Sequence, residues 1–269
     1  MAPLIDPAIV AQELDKPIQV DREIRAMYGV PARPEAPVYY SAEQRAEIER
    51  EKDRIYAEMV AGKKQSGEFV LTVGGPGSGK TSLVRALQKL GGPLAGYVHT
   101  DPDEEVLTRF KPYLADATTP VESDITRAVA YTYWRWASLY VNNSVLNRAV
   151  DEGFNIAMGT TATSPMIAKT YDALHDMGRE VKAIIVHAPE AVRLESVAPR
   201  FKVDRRYVPE EDVKAKGNVM LPDIIDLHFA KADSIDLYWR DRTDSGPVLA
   251  ATLQQGRVVV HDQTALKPS

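Results

Sequence analysis

Cysteine is absent from all 269 residues, which excludes disulfides and removes the usual clue to redox compartment. Nor is there an apolar run approaching the ~20 residues a membrane-spanning helix needs. Met1 to Val20 breaks its apolar residues with Asp, Glu, Gln and Pro, unlike the continuous core of a signal peptide. Basic excess is missing too: 33 Lys and Arg face 38 Asp and Glu, a net charge of −5. That balance argues against nucleic acid or an anionic membrane as the main partner, because both demand clustered cations. The five histidines, at 99, 175, 187, 228 and 261, show no ligand spacing, so no dedicated transition-metal site is expected. These absences leave a cytoplasmic protein acting on something small, with secretion by a route that leaves no apolar signal still open.

What is present is ordinary globular composition, 44% hydrophobic and 26% charged. A chain of this length buries roughly three-quarters of its unfolded surface and needs no covalent staple. Pro31, Pro34 and Pro37 bias their predecessors away from helix and mark a connector. Beyond it, Ser41 with Gln44 offers a capping box, and Ile48, Ile55 and Met59 form a thin stripe on a helix that should end near Gly62. We read residues 1–64 as a helical extension and 65–269 as the main domain. In that domain short apolar runs alternate with amphipathic stretches, the order of a parallel sheet with crossover helices. Strands are expected at Phe69 to Val73, Gly96 to Thr100, Phe154 to Met158, Val181 to His187 and Ile235 to Trp239. A helix capped by Ser164 and Pro165 and stopped by Gly178 presents Ile167, Tyr171 and Leu174 on one face. Pro247 to Leu253 and Arg257 to His261 suggest a terminal hairpin. The expected class is α/β, a mostly parallel central sheet flanked by helices.

The most informative segment is Gly74-Gly75-Pro76-Gly77-Ser78-Gly79-Lys80-Thr81, which satisfies GxxxxGK[ST] between an apolar strand and a helix and is followed by Ser82. Glycines let backbone N–H groups curl around phosphate oxygens, the positive helix end reinforces them, Lys80 adds a mobile charge and Thr81 a hydroxyl for Mg²⁺. The following helix shows Leu83, Leu87 and Leu90 on one face and Gly91 at its end. ATP and Mg²⁺ are therefore the expected ligands. A guanine-reading NKxD element is represented only by the partial Ala230-Lys231-Ala232-Asp233, and no later apolar strand ends in the acid of a motor ATPase. The acid follows the second strand instead, at Asp101, with Asp103 close behind. An Asp there can accept the proton of an acceptor hydroxyl during transfer of the γ-phosphate. HTDPDEE could equally be the acidic N-terminus of a helix.

At these residues the chain resembles the zeta toxins, P-loop kinases of UDP-activated amino sugars. The likeness is carried by Gly62-Lys63-Lys64, the apolar strand and GGPGSGKTSL, then more weakly by His99-Thr100-Asp101, by Glu152 to Ile156 and by Arg200-Phe201 with Arg206-Tyr207-Val208-Pro209. The resemblance implies Lys80 and Thr81 at phosphate and Mg²⁺, Asp101 as base, and Arg200 and Arg206 stabilising the transferred group. It also implies a toxin or effector role, with an antitoxin or immunity protein as partner. Guanidinium forks suit equatorial phosphoryl oxygens, but Arg193, Arg200, Arg205 and Arg206 also fit a solvated basic face. Two departures bear on the substrate: Gly159 stands where the family has its sugar-contacting glutamate, and the His-Pro after the catalytic Asp is missing. The expected acceptor is thus a nucleotide-linked small molecule, an NAD-type dinucleotide or a UDP-sugar; Thr160, Thr161 and Thr163 could supply replacement hydroxyls or equally form an ordinary polar βα loop. An antibiotic kinase and a nucleotide-dependent protein-binding module are the alternatives. On the helix between Val121 and Val150, Tyr133, Trp136 and Tyr140 fall on one face and are expected to be buried, leaving Tyr131 or Trp134 to meet the acceptor.

Overall fold

Phe69–Val73 forms strand β1, and all five of its residues are buried, as expected of a strand covered on both faces. The computed structural model describes residues 3–31, 36–89, 91–118, 125–162, 167–204, 208 and 210–262. Around β1 the described residues build a seven-stranded sheet in the order β2-β3-β1-β4-β5-β6-β7. Strands β2 (Val98–Thr100), β3 (Ile156–Thr160), β4 (Val181–His187) and β5 (Ser234–Trp239) run parallel to it. Strands β6 (Val248–Gln254) and β7 (Arg257–Val260) finish the sheet antiparallel. The N-terminal helices are α1 (Pro7–Gln12), α2 (Val20–Met27) and α3 (Ala42–Val60). After β1 come α4 (Lys80–Leu87), α5 (Lys111–Thr118), α6 (Ile125–Asp151) and α7 (Ile167–Asp176). The last three are α8 (Glu190–Asp204), α9 (Glu210–Ala215) and α10 (Pro222–Lys231). Among the described residues no helix is long and apolar enough to cross a membrane.

The period of two along β1 divides the interior. Phe69, Leu71 and Val73 enter the larger core with residues of α3, α6 and α7, whereas Val70 joins Leu83 and Val84 of α4 in a smaller one on the opposite face. Leu14, Ile18 and Tyr40 share the larger core, so the N-terminal segment is packed into the same interior. Asn147 ties it down further, accepting from Ile5 N at 2.9 Å and donating to Ile5 O at 2.7 Å.

Several expected boundaries moved for local reasons. The capping box at Ser41 and Gln44 forms in both directions. Strand β2 starts at Val98 because Tyr97 N still donates to Leu94 O in a turn. Strand β3 starts at Ile156, since Phe154 N closes the end of α6 on Ala149 O. It runs on to Thr160, paired with Val73, so Gly159 lies within the strand rather than beyond it. Leu90, Ser164 and Pro165 fall outside the described residues. The terminal hairpin turns through Gln255 (φ 50°) and Gly256 (φ 72°), the two left-handed residues a type I′ turn demands.

The expected burial on α6 is reversed. Tyr131 (7% exposed) and Trp134 (4%) are its buried aromatics, while Tyr133, Trp136 and Tyr140 are half-buried. The reason is a second cover: Gln44 Nε2 donates to the Tyr133 hydroxyl, Trp136 Nε1 to Pro17 O, and the Tyr140 hydroxyl to Glu49. A helix enclosed from two sides does not reveal its deeper face by spacing alone.

Candidate active site

The turn after β1 leads into α4 through Gly79, which caps the helix in the left-handed conformation (φ 96°). The N–H groups of Gly77, Gly79 and Thr81 donate to no group among the described residues, leaving spare donors at a helix N-terminus, the arrangement that receives phosphate. Lys80 Nζ lies back over the loop, donating to the carbonyls of Gly74 and Gly75. Ser78 Oγ is buried beneath with no hydrogen-bond partner. Gly75, Pro76, Gly77, Gly79, Lys80, Thr81 and Ser82 line a cavity of about 900 Å³. Its donor set, with Lys80, a threonine hydroxyl and the further cations Arg85 and Arg240 on the wall, fits a nucleotide triphosphate and its Mg²⁺.

The order β2-β3-β1 brings Asp101 to the same edge, since it follows β2 as the loop follows β1. Asp101 Oδ1 accepts from Asp103 N at 2.9 Å and Glu104 N at 3.0 Å, so the capping reading is correct for that oxygen. Oδ2 accepts no hydrogen bond among the described residues and sits 3.2 Å from where a Cβ on Gly159 would be. A side chain at 159 would start out in tight contact with this carboxylate. Asp103 also borders the cavity, and its Oδ1 accepts from the Tyr131 hydroxyl at 3.1 Å.

The arginines separate. Arg200 lies on α8, but its side chain is outside the described residues, as are Arg205 and Arg206 altogether. Arg193 is neither a phosphate ligand nor a solvated group: it is 2% exposed, donates through Nε to Ala188 O at 3.1 Å and through Nη1 to Val213 O, and braces the loop from below. Its own carbonyl comes within 2.3 Å of the Cβ position of Gly77, whose φ is +79°. Arg240, unnoticed in the sequence, lines the cavity and donates to Gly77 O at 3.1 Å. Its place directly after β5, at the carboxyl edge of the sheet, was the available signal. Of the threonines, Thr160 accepts from Ala162 N at 3.0 Å through Oγ1, beside a left-handed turn at Ala162 (φ 46°). Thr161 is presented to a second cavity, and Thr163 is outside the described residues. Asp233, from the partial guanine motif, receives Val181 N at 2.7 Å and is structural.

His187 ends β4 beside the loop, with its ring 4.6 Å from that of Trp239 and a buried, unpartnered Nδ1. Burial, helped by the charge of Arg193, lowers its pKa to about 4. The unfolded chain takes this proton near pH 6.5, so it binds more protons than the native state between the two values. Stability should therefore fall as pH drops from about 6.5 to about 4, by on the order of 2 kcal/mol for a half-buried ring. Thermal melts across that window should show a steeper slope in the unmodified protein than in His187→Phe, where buried His228 still contributes.

Comparison with known proteins follows the same lines. The sequence model of the family described as zeta toxin matches residues 56–243. Among curated proteins nothing matches. Among solved structures, the AvrRxo1-ORF1:AvrRxo1-ORF2 complex with sulphate ions is 20% identical with a TM-score of 0.58, covering 84% of this chain and 72% of that one. The same pair with ATP gives 19% and 0.58 over 89% and 79%. The PezAT chromosomal toxin–antitoxin system of Streptococcus pneumoniae gives 18% and 0.54 over 78% and 81%. At such identities the likeness is one of fold.

Proposed function

The chain belongs to the zeta toxin family, and from that premise we propose that it is an ATP-dependent kinase, a cytoplasmic toxin that phosphorylates a hydroxyl of a nucleotide-linked small molecule. One observation carries the proposal: spare loop donors, Lys80 and Asp101 all border a single cavity. The ATP complex of a structural neighbour supports ATP as donor, and the paired neighbours support a partner of the antitoxin or immunity class. Within this proposal residues 1–64 are the extension and 65–269 the kinase domain.

Residues Gly74 to Ser82 hold the donor phosphates, and Thr81 offers its hydroxyl to the metal. Mg²⁺, if held there, would supply charge that neutralises the donor phosphates. Asp101 Oδ2 accepts the acceptor's hydroxyl proton as that oxygen bonds to the γ-phosphorus and the bond to the β,γ-bridging oxygen breaks, releasing ADP. Arg200 and Arg206 spread charge from the moving group. The crowding of Gly159 by Asp101 supports an acceptor other than the UDP-sugar, with an NAD-type dinucleotide first.

The test is incubation with ATP, Mg²⁺ and a metabolite extract, read by mass spectrometry for an added phosphate, followed by kcat/KM for NAD and for UDP-N-acetylglucosamine. NAD should be the faster acceptor. A preference for the UDP-sugar would show that another group replaces the missing glutamate, and no phosphorylated metabolite at all would favour a binding module.

A further inference from the structure

Resting on the kinase reading, we propose that the acceptor extends into a second compartment walled by Lys16–Glu23 of the N-terminal extension, where Arg135 holds an acceptor phosphate. This compartment has a volume of about 460 Å³ and meets the larger cavity at Pro76, Lys80, Asp103, Tyr131 and Val208. A molecule whose hydroxyl reaches Asp101 can therefore continue past Asp103 and Tyr131 without leaving a pocket. In-line transfer requires the acceptor to arrive from the side opposite the leaving oxygen, so a long acceptor needs room beyond Lys80 that the donor does not fill.

The chemistry of the walls indicates what fits. Lys16 is engaged by Glu13 at 2.5 Å and Lys216 by Asp212 at 2.7 Å. Arg135 is exposed, has no carboxylate within ion-pair distance among the described residues, and lies 5.5 Å from the centre of the Trp136 ring. That ring is itself fixed, its N–H given to Pro17 O and Lys16 placed 4.6 Å above it. A positioned guanidinium facing a compartment suits phosphate. Glu23 and Thr161 on the same walls can accept hydrogen bonds from sugar hydroxyls. The acceptor class that satisfies all three groups carries both phosphate and ribose-like hydroxyls. Lys16–Glu23 precedes the family match at residues 56–243 whereas Arg135 and Thr161 lie within it, so the compartment joins a wall from the extension to one from the matched region.

The experiment measures steady-state transfer by the full chain with ATP and either NAD or UDP-N-acetylglucosamine, whichever the unmodified protein phosphorylates. Arg135→Ala should raise the acceptor KM about 10- to 100-fold with the ATP KM unchanged, and Arg135→Lys should recover much of the loss. Gln19→Trp, which fills the compartment from its N-terminal wall, should do the same by a steric route. An unchanged acceptor KM in both Arg135→Ala and Gln19→Trp overturns the inference alone, as does an equal rise in both KM values. Transfer to neither acceptor, with no phosphorylated metabolite formed from an extract either, removes the kinase reading underneath it.

Discussion

Asp101→Asn is expected to lower phosphoryl transfer by about 10²–10⁴-fold while ATP remains bound. Asparagine is nearly isosteric, and its Oδ1 can keep the bonds now received from Asp103 N and Glu104 N, so the turn after β2 should survive. What is lost is the ability of the second position, beside Gly159, to take a proton. Steady-state transfer together with ATP affinity separates this from a folding defect. Asp103→Asn is the informative comparison because Asp103 borders the same cavity. Should that variant be inactive and Asp101→Asn active, the base lies two residues further on. Lys80→Ala, by contrast, should abolish transfer with the fold intact, since its ammonium is a group at the cavity wall and not a core side chain.

Gly217→Ala is expected to be among the most damaging changes at a residue that lies against the phosphate loop but takes no part in the chemistry. A Cβ at 217 would lie 1.3 Å from Arg193 Nη1 and 1.9 Å from Cζ, so the buried guanidinium would have to move. It would then leave Ala188 O and Val213 O, and its backbone, already against Gly77, would disturb the phosphate loop. The cost should be about 3 kcal/mol or more, from overpacking plus a displaced buried charge, or roughly 10 °C in Tm for a chain of this size. Thermal unfolding and ATP affinity should fall together. Arg193→Leu in the Gly217→Ala background should recover part of the loss if the clash is the cause, and a Tm unchanged by Gly217→Ala would refute the bracing role of Arg193.

Strands β1 and β4 were legible to the residue, because strands covered on both faces are predominantly apolar, and β4 departs from that only at Lys182 and His187. The phosphate loop was legible for a different reason: its chemistry demands residue types at consecutive positions. Legibility ended where a role depends on residues distant in sequence. Arg193 reads as one more surface cation until Gly217 is seen to leave space for it. Arg240 reads as a loop charge until the sheet order brings it against Gly77. Tyr131 and Trp134 could not be told from Tyr133 and Trp136, since the N-terminal segment provides a second apolar surface that helical period does not anticipate. Gly159 was read as a departure from a family pattern, and the three-dimensional placement of Asp101 Oδ2, 3.2 Å from its Cβ position, shows how little space a side chain there would have.

The sheet order also has a consequence in time. The loop of β1 is synthesised early, yet its strand pairs with Ile156–Thr160 and Val181–His187, and the loop itself rests on Arg193, Gly217 and Arg240. A nascent or truncated chain ending before Arg240 carries the phosphate-binding motif without the supports that shape it. Domains generally fold as units during synthesis, so the phosphate loop gains its supported shape only after the chain has been made through Arg240.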